Sequence, residues 1–430
     1  MDFFFIIGAM KNLWEATAEP SPESEPLAGN RSADVAVIGA GFTGCAVALR
    51  LAQASTDVCV LEAEDIGYGA SGRNVGLVNA GLWVEPQKIE AELGQENAQR
   101  LNDMLMRAPD VVFDLIEKHS IACEATRAGT LYCAHARREF RKLERQAEQL
   151  IAAGAPIKLL SPDEAREKTG SDAFHGALLD PRAGTIQPLS YVRGLAKAAS
   201  KAGAKLYTRS RVNALTHDGE QWRVATNQGS VSAKSVILAT NAYTASLDSA
   251  TMPSFVPVHY CQFATAPLRK DLARTILPER QGAWDTATVM SSFRLDNNDR
   301  LIVGGVGRLD GPGARAHAAW ARRKLKSLFP AVQAKHFEFG WSGRMAITGD
   351  RLPKIARIGP SGLVVHGYNG RGIGPGTIFG TALADYILSA DETVLPLPIV
   401  DQHRESFRLL KSCVYEVGAT VFHLLSARVK

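Results

Sequence analysis

Three glycines at fixed spacing carry the strongest chemical signal in the sequence. Gly39, Gly41 and Gly44 follow the apolar run 35–38 at G-x-G-x-x-G spacing, and a helical pattern begins directly after them. In such a motif the first glycine permits a tight turn, the second leaves room for a pyrophosphate, and the third lets the helix lie close to the strand. Glu62 ends the next apolar strand about 20 residues beyond the turn, where a carboxylate can accept both ribose hydroxyls of an adenine dinucleotide. The combination predicts FAD or NAD, because a carboxylate at this position favours an unphosphorylated ribose.

A second glycine-rich stretch directly follows this acid. Residues 65–76 include Gly67, Gly69, Gly72 and Gly76, and they show neither strand nor helix periodicity. Backbone amides and Ser71 in this stretch are well placed to reach a phosphate or the rest of a long cofactor. The alternative interpretation is a flexible surface loop.

A third glycine-rich turn lies near the C-terminus. The apolar strand 363–366 leads into the turn 367–376, and a helical pattern covers 377–390. A helix N-terminus and Arg371 at such a turn would suit a reduced flavin, whose N1–C2=O edge carries negative charge. A nicotinamide enzyme has no evident use for the turn 367–376, so its presence together with the first glycine motif favours FAD. An NAD-dependent dehydrogenase remains the alternative that the first motif alone supports.

The elements between these turns predict an α/β fold. Residues 235–240 form an apolar strand that returns to the first sheet, so Thr240 and Asn241 are expected at its carboxyl edge beside the nucleotide. From residue 256 to 338 the strands alternate apolar and polar positions, which is typical of an antiparallel sheet in a second domain. Tyr260 and Arg294 are the candidates there for polar substrate-binding side chains, although either could equally point outward or pair within the protein.

The predicted organisation has three parts. They are a Rossmann-like FAD-binding domain (30–85, 170–255 and 340–400), an inserted substrate domain built on an antiparallel sheet (86–169 and 256–339), and a C-terminal amphipathic helix (401–430). Apolar residues recur in that helix at steps of three and four: Phe407, Leu410, Val414, Val417, Val421 and Leu424. The helix is expected over 402–427, either packed on its own domain or lying on a membrane surface near respiratory acceptors.

Composition excludes several other classes of protein. The 430 residues are 46% hydrophobic and 22% charged, with a net charge of +5 and no basic run that would indicate nucleic acid binding. Six cysteines without C-x-x-C spacing favour a reduced, cytoplasmic protein. No H-E-x-x-H, G-x-S-x-G or Walker lysine motif is present, so no metal site or hydrolase is predicted. The apolar stretch 1–7 is too short to span a bilayer and is either part of the protein or an extension before a start at Met10.

Several motifs together resemble the D-amino-acid-oxidase-type family of FAD enzymes, which includes glycine and sarcosine oxidases. The resemblance covers residues from about 34 to 400 and is carried by VIGAGFTG (37–44), LEAEDIGYGASGRNVG (61–76), ILATNAYT (237–244), WSGRMAITGDRLPKI (341–355) and GYNGRG (367–372). Within the family, SGRNVGLVNAG (71–81), LLDPRAGTIQP (178–188) and GAWDTATVMSSFR (282–294) are similar to bacterial L-pipecolate oxidases. The γ-glutamylputrescine oxidases are similar mainly in the loop 71–74.

The resemblance implies oxidation of the carbon beside a primary or secondary amine, by hydride transfer to FAD, giving an imine that water can hydrolyse. No side-chain base is implied, because the lone pair of the neutral amine assists hydride departure. Arg344 occupies the position of a carboxylate-binding arginine, and the alternative is that it pairs with a protein carboxylate. Oxygen or a respiratory acceptor would reoxidise the flavin, and peripheral contact with the inner face of the cell membrane through the C-terminal helix is the alternative to a freely cytoplasmic protein. A further alternative is a non-catalytic flavin subunit of a larger complex.

No cysteine is convincingly placed for a covalent flavin bond, so noncovalent FAD is expected. The predicted cofactor-binding residues are Gly39, Gly41, Phe42, Thr43, Gly44, Glu62, Ala63, Ala70, Ser71, Arg73, Asn74, Val75, Gly76, Leu77, Val212, Thr240, Asn241, Gly370, Arg371, Gly372, Ile373, Gly374 and Thr377.

Overall fold

The computed structural model describes residues 11–244, 253–401 and 403–426. The helices are α1 (Leu13–Thr17), α2 (Phe42–Gln53), α3 (Pro86–Leu93), α4 (Gln95–Met106), α5 (Ala108–Lys118), α6 (Arg137–Ala152), α7 (Pro162–Thr169), α8 (Pro188–Lys201), α9 (Lys270–Ala273), α10 (Ala314–Leu328), α11 (Ile373–Ser389) and α12 (Arg408–Leu425), with 3₁₀ turns at Ala70–Gly72, Asn241–Tyr243 and Glu392–Val394. The strands are β1 (Gly29–Ile38), β2 (Val58–Leu61), β3 (Leu77–Val78), β4 (Thr130–Cys133), β5 (Lys158–Leu160), β6 (Ala177–Asp180), β7 (Gly184–Thr185), β8 (Lys205–Tyr207), β9 (Ala214–His217), β10 (Trp222–Ala225), β11 (Gly229–Leu238), β12 (Val256–Ala264), β13 (Gly282–Asp285), β14 (Ser291–Leu295), β15 (Leu301–Val306), β16 (Phe339–Ile347), β17 (Lys354–Gly359), β18 (Gly362–His366) and β19 (Ile399–Val400).

A nine-stranded sheet holds the first glycine motif. Its central order is β19-β17-β18-β11-β1-β2-β8, and β10 and β9 extend it from β11. Strand β1 pairs in parallel with both β2 and β11, and β11 pairs in parallel with β18. The last four residues of β1 are buried, as expected for a central parallel strand covered on both faces. The carboxyl ends of β1, β2, β11 and β18 therefore meet at one edge, and the glycine turns begin there.

An eight-stranded sheet forms the second layer of the molecule. Its order is β16-β12-β15-β14-β13-β4-β6-β5, and every neighbouring pair is antiparallel except β4 with β13. Helix α10 packs on this sheet through Trp320, Ala321 and Leu325, which share a core with Phe263 and Phe293. The fold is therefore the predicted α/β architecture with a second, mainly antiparallel sheet.

The predicted domain boundaries differ from the sheet pairing in three places. Strands β6 and β16 lie within ranges assigned to the FAD-binding domain, yet both pair in the eight-stranded sheet. Helices α3 to α5 lie within the range assigned to the substrate domain, yet Ile89, Leu101 and Val112 share a core with Val35 of β1. Apolar periodicity identifies a buried face but not the sheet that buries it, so these partners could not be inferred from the pattern.

The segment before β1 contributes to the core, although its proline-rich, polar run 20–26 is typical of a surface connection. Leu13 and Trp14 in α1 are fully buried, and Asn12 caps the helix by accepting a hydrogen bond from the Trp14 amide. The apolar stretch 1–7 lies outside the described residues, as do residues 402 and 427 at the ends of the predicted helix. The predicted start at 402 is wrong, because residues 403–407 are not helical and Phe407, with a φ of 55°, precedes the first helical residue Arg408. Its described part, α12, packs against β12 and α10. None of the described helices combines the length and apolarity that crossing a bilayer requires.

Candidate cofactor and substrate site

One cavity of about 580 Å³ lies between the two sheets. Residues of the first glycine motif, the loop 70–77 and the turn 370–374 all line it. We call the part near the first motif and Glu62 the nucleotide end, and the part near Trp83, Tyr260 and Trp284 the substrate end. A volume of this size is typical of sites for cofactors and small ligands.

The first glycine motif forms the turn between β1 and α2 at the nucleotide end. Gly39 has a φ of 103°, in the region that favours glycine, and a Cβ there would lie 3.1 Å from the Ala239 carbonyl oxygen. A Cβ on Gly44 would lie 1.9 Å from the Gly39 carbonyl oxygen. Gly44 therefore allows the close approach of helix and strand and does not itself line the cavity. Gly41 does line it, and Ser71 Oγ would lie 2.9 Å from its Cβ.

Glu62 lies at the carboxyl end of β2 and faces the cavity. Its two carboxylate oxygens accept hydrogen bonds from the backbone amides of Ala40, at 2.7 Å, and Glu64, at 3.0 Å. Burial raises the pKa of the Glu62 carboxyl, and these amides oppose that rise. A fixed carboxylate beside the turn is the acceptor that ribose hydroxyls require.

The loop 70–76 is held by buried donors from distant parts of the chain. Its carbonyl oxygens accept hydrogen bonds from five side chains at 2.8 to 3.4 Å: Asn12 donates to Gly72, Trp14 to Asn74, Gln262 and Trp341 to Arg73, and Arg294 to Val75 and Gly76. Arg294 also donates to the Ile186 carbonyl oxygen at 2.7 Å. Ser71 Oγ in turn accepts from the Phe42 amide at 3.0 Å. The loop is therefore a fixed wall of the cavity, whereas the sequence left a flexible surface loop open.

Arg294 was predicted to bind substrate, and its position does not support that role. The side chain is buried away from the cavity lining, and its guanidinium lies 5.6 Å from the Trp14 ring centroid. Burial lowers the pKa of Arg294 to about 10. Its donors are directed to backbone carbonyl oxygens of the cofactor loop, so it supports that loop. A polar residue in a strand can face either side of a sheet, and the sequence pattern could not distinguish them.

The C-terminal glycine turn 367–376 contacts the first glycine motif at the cavity. The Tyr368 hydroxyl lies 2.8 Å from Thr43 Oγ1, and Asn241 Oδ1 accepts a hydrogen bond from the Gly367 amide at 3.0 Å. Gly370 has a φ of 90°. Helix α11 begins at Ile373, four residues before the predicted start, so its N-terminal turn borders the cavity. The two turns, far apart in sequence, thus enclose one space.

The structure brings most of the predicted cofactor and substrate residues to this cavity. The lining includes Gly39, Gly41, Phe42, Thr43, Glu62, Ala63, Ala70, Ser71, Arg73, Asn74, Val75, Leu77, Val212, Thr240, Asn241, Tyr260, Arg344, Gly370, Arg371, Gly372, Ile373 and Gly374. Gly44, Gly76, Thr377 and Arg294 are absent from it. A Cβ on Gly76 would lie 2.2 Å from the Ile186 carbonyl oxygen, and the buried Thr377 hydroxyl donates to the Ile373 carbonyl, so these two support the site from behind.

Strands of the eight-stranded sheet form the substrate end. Tyr260 on β12 donates its hydroxyl hydrogen bond to Ser292 on β14 at 3.0 Å, and Ser292 pairs with Trp284 on β13. Burial raises the pKa of Tyr260, so its hydroxyl stays neutral. With its proton directed to Ser292, the Tyr260 oxygen can accept a further hydrogen bond from a ligand.

Two arginines line the cavity beside different aromatic residues. Arg344 is exposed, with its guanidinium carbon 4.5 Å from the Tyr243 ring centroid. Arg371 donates to the Ala80 carbonyl oxygen at 2.5 Å and lies 4.3 Å from the Trp83 ring centroid, while its Nε has no hydrogen-bond partner. Burial lowers the pKa of Arg371 to about 10. Among the described residues neither arginine forms an ion pair, so both remain available to an anionic ligand.

Sequence reasoning missed the aromatic residues of this end. Trp83 and Trp284 line the cavity with ring centroids 5.7 Å apart, and Trp284 stacks on Tyr132 at 5.5 Å. The buried Trp284 Nε1 has no partner among the described residues. Only the motif 282–294 pointed to this region, and it gave no role to the tryptophan. Tyr415 of α12 also lines the cavity, which the helical periodicity of that segment could not indicate.

The residues present fit FAD. The nucleotide end supplies a glycine turn at a helix N-terminus for a pyrophosphate and a carboxylate for a ribose, as an adenine dinucleotide requires. The glycine turn 367–376 lines the part of the cavity that extends to the aromatic substrate end. A shorter nucleotide would leave this part empty. None of the six cysteines lines the cavity.

Comparison with known proteins agrees with this geometry. Residues 34–386 match the family model of FAD dependent oxidoreductases. The chain belongs to this family. Its members bind FAD, and proteins similar to this chain include oxidoreductases of amines and amino acids.

Three similar proteins illustrate the relationship. The Haemophilus influenzae protein named "Probable oxidoreductase OrdL" is 29% identical over 410 residues, covering 93% of each chain. The γ-glutamylputrescine oxidoreductase of Escherichia coli strain K12 is 31% identical over 383 residues, covering 87% of this chain and 88% of the relative. The crystal structure of glycine oxidase from Geobacillus kaustophilus superposes with a TM-score of 0.69 at 21% identity, covering 84% of this chain and 96% of that one. The last likeness concerns the fold alone.

Proposed function

We propose that the protein oxidises the C–N bond of a cyclic or N-substituted amino acid, with L-pipecolate as the preferred substrate. The observation that carries the proposal is the single cavity that joins a dinucleotide cradle to an aromatic end bordered by two cations. Bound FAD supplies the hydride acceptor for such an oxidation. The FAD is proposed to be noncovalent, and the enzyme is proposed to act as an oxidase or dehydrogenase with oxygen or a respiratory acceptor.

The side chains of the substrate end suit a small ring with an amine and a carboxylate. Trp83 and Trp284 offer apolar faces for the ring, and Arg344 or Arg371 can bind the carboxylate through two parallel hydrogen bonds. The Tyr260 oxygen can accept from the amine nitrogen and hold it in position. The described lining has only two carboxylates, Glu62 and Glu64, both at the nucleotide end. The proposal therefore assigns no general base and relies on binding the neutral amine in a reactive orientation.

Purified protein with FAD tests this proposal under anaerobic conditions. We expect L-pipecolate to bleach the flavin absorbance faster than D-pipecolate, L-proline, sarcosine or glycine. Unbleached flavin with every amino acid and amine in such a panel would contradict an amine-oxidising function. Flavin that is reduced only when another polypeptide is added would instead indicate a subunit of a larger complex.

A γ-glutamylputrescine-type amine is the second candidate substrate. It is favoured by the Escherichia coli relative, which matches most of the chain at 31% identity. The two cations contact different aromatic residues, Tyr243 and Trp83, so one of them could bind a carboxylate that lies far from the oxidised amine. Faster bleaching of the flavin by γ-glutamylputrescine than by L-pipecolate would select this alternative. Slower bleaching by putrescine, which lacks the γ-glutamyl group, than by γ-glutamylputrescine would show that the distant group with its carboxylate is recognised.

A further inference from the structure

Helix α12 turns an apolar face away from the protein. Seven of its large apolar side chains are between 43% and 72% exposed: Leu409, Leu410, Val414, Val417, Val421, Leu424 and Leu425. From residue 412 to 425 every exposed residue is Cys, Val, Gly or Leu. A surface helix of a globular protein normally shows the opposite arrangement, with charged side chains outward. A continuous apolar face of this kind indicates contact with something apolar.

The polar side of α12 is the side fixed to the protein. Glu416 Oε1 lies 3.3 Å from His317 Nε2, and His317 Nδ1 lies 2.7 Å from His423 Nδ1. Ser412 donates to the Pro257 carbonyl oxygen at 2.6 Å, and the Tyr415 hydroxyl accepts from Arg351 at 2.7 Å. These contacts hold the helix in its orientation, so the outward direction of the apolar face is a property of the fold.

Basic residues border the N-terminal end of this face. Arg404, Arg408 and Lys411 are exposed at or just before the first turn of the helix. In the sequence, Arg428 and Lys430 follow the helix, outside the described residues. Two acidic residues of the region have partners within the protein: Glu416 faces α10, and Glu405 lies 3.0 Å from His403 and 3.3 Å from Lys411. Arg404 and Arg408 form no ion pair among the described residues, so these two are the cations best placed for anionic headgroups.

We propose that the outward face of α12 binds the surface of an anionic lipid bilayer, with the helix lying in the plane of the headgroups. An apolar face with cations at its margins matches such a surface, because the side chains enter the acyl boundary while the cations meet the headgroups. The 18-residue helix is about 27 Å long, sufficient for an interfacial anchor. A second copy of the chain fits less well in a parallel arrangement, because the exposed Arg404 and Arg408 of the two copies would meet.

This position also relates the bilayer to the cavity. Tyr415, on the protein side of α12, lines the cavity together with Arg344 and Arg351, which are both exposed. The cavity therefore reaches the surface beside α12. A bilayer against the outward face of the helix would lie close to this opening.

Co-sedimentation of the flavin-loaded protein with vesicles tests the proposal. Vesicles of phosphatidylglycerol mixed with phosphatidylcholine are compared with vesicles of phosphatidylcholine alone. We expect binding to the anionic vesicles, weakened about tenfold or more by Val417→Glu or by Leu410→Glu, because each places a carboxylate at the membrane interface. The matched control is Ile151→Glu on α6, where the native side chain is 52% exposed and lies on another part of the surface. Replacing Arg408 and Lys411 together by glutamine should weaken binding and reduce its salt dependence.

Flavin absorbance and melting temperature show whether each variant is folded, and the two glutamate variants provide independent tests. The proposal is overturned if the native protein does not sediment with anionic vesicles, or if Ile151→Glu weakens binding as much as Val417→Glu. It is also overturned if light scattering shows a dimer that Val417→Glu converts to a monomer while vesicle binding is absent. That last result would assign the face to a second copy of the chain.

Discussion

At the nucleotide end of the cavity, the groups that would contact the cofactor are mainly backbone atoms: Gly39, Gly41 and Gly44 shape the turn, and Glu62 adds one carboxylate. At the substrate end they are side chains from separate strands, such as Tyr260 on β12 and Trp284 on β13. A backbone site tolerates almost no added atoms, whereas a side-chain site can change its ligand through single substitutions. The first end should therefore respond to mutation by losing cofactor and fold, and the second by changing substrate affinity.

The largest effect is expected from Gly44→Ala. The added Cβ would lie 1.9 Å from the Gly39 carbonyl oxygen, and backbone on both sides cannot move without opening the turn. We expect a loss of about 3 kcal/mol or more in the free energy of unfolding, together with loss of bound FAD. Thermal unfolding and flavin content measure the two effects.

Gly418→Ala is the matched control for that change, because Gly418 also lies within a helix but has no atom within 4 Å of an added Cβ. Alanine there should leave stability unchanged or raise it by up to about 1 kcal/mol. Equal effects of the two substitutions would show that the close approach at Gly44 does not govern the nucleotide end.

The next effect is expected from Glu62→Gln. The substitution keeps the shape of the side chain but removes the charge that strengthens hydrogen bonds from ribose hydroxyls. It also places an NH₂ group opposite the Ala40 or Glu64 amide, which then loses its acceptor, so FAD should bind about 10-fold to 100-fold more weakly. Titration of the apoprotein with FAD measures this change. Glu64→Gln is the control, because Glu64 also lines the cavity but forms an exposed pair with Arg211 at 2.5 Å. Surface pairs of this kind contribute about 0–1 kcal/mol, so its effect should be much smaller.

The same contrast explains how much of the molecule the sequence predicts. Gly39, Gly41 and Gly370 have backbone functions that a glycine at the right spacing indicates directly, and Glu62 follows at a characteristic distance. The nucleotide-binding half of the α/β fold and the shared cavity were predictable for that reason, whereas the mainly antiparallel second sheet was predictable from the alternation of apolar and polar residues in its strands. The predicted start of helix α11 was four residues too late, because the first turn of the helix contains glycines and a proline, which usually indicate a loop.

Contacts between distant segments were not predictable. Asn12, Trp14, Gln262 and Trp341 come from unrelated parts of the chain, and only the folded structure brings them to the carbonyl oxygens of the loop 70–76. Arg294 was a candidate for substrate binding as a polar residue on a strand of the second sheet, and the structure favours the alternative, pairing within the protein, because its partners are carbonyl oxygens. Residue type indicates what a side chain can bind, but packing decides which group it meets.

At the substrate end, Arg344→Gln should raise KM for an amino acid substrate about tenfold, because an exposed cation contributes less than a buried one. Arg371→Gln should raise it by the same amount or more if the carboxylate lies beside Trp83. Piperidine, which is L-pipecolate without the carboxylate, provides the control: its binding should change little in the variant that removes the carboxylate partner. Equal weakening of both compounds by both variants would show that neither arginine recognises the carboxylate.

The smallest effect is expected from Tyr260→Phe, which removes only the hydroxyl group that donates to Ser292 at 3.0 Å. Loss of this hydrogen bond should cost about 1 kcal/mol of stability, because Ser292 is buried and loses a partner. If the Tyr260 oxygen also accepts from the substrate amine, kcat/KM should fall a few-fold further than the stability change explains, while FAD affinity stays constant. The double variant Tyr260→Phe/Ser292→Ala distinguishes the two contributions, since it leaves no unpaired hydroxyl. Recovery of stability without recovery of kcat/KM would place the Tyr260 oxygen against the substrate, whereas recovery of both would limit its role to the structure of the sheet.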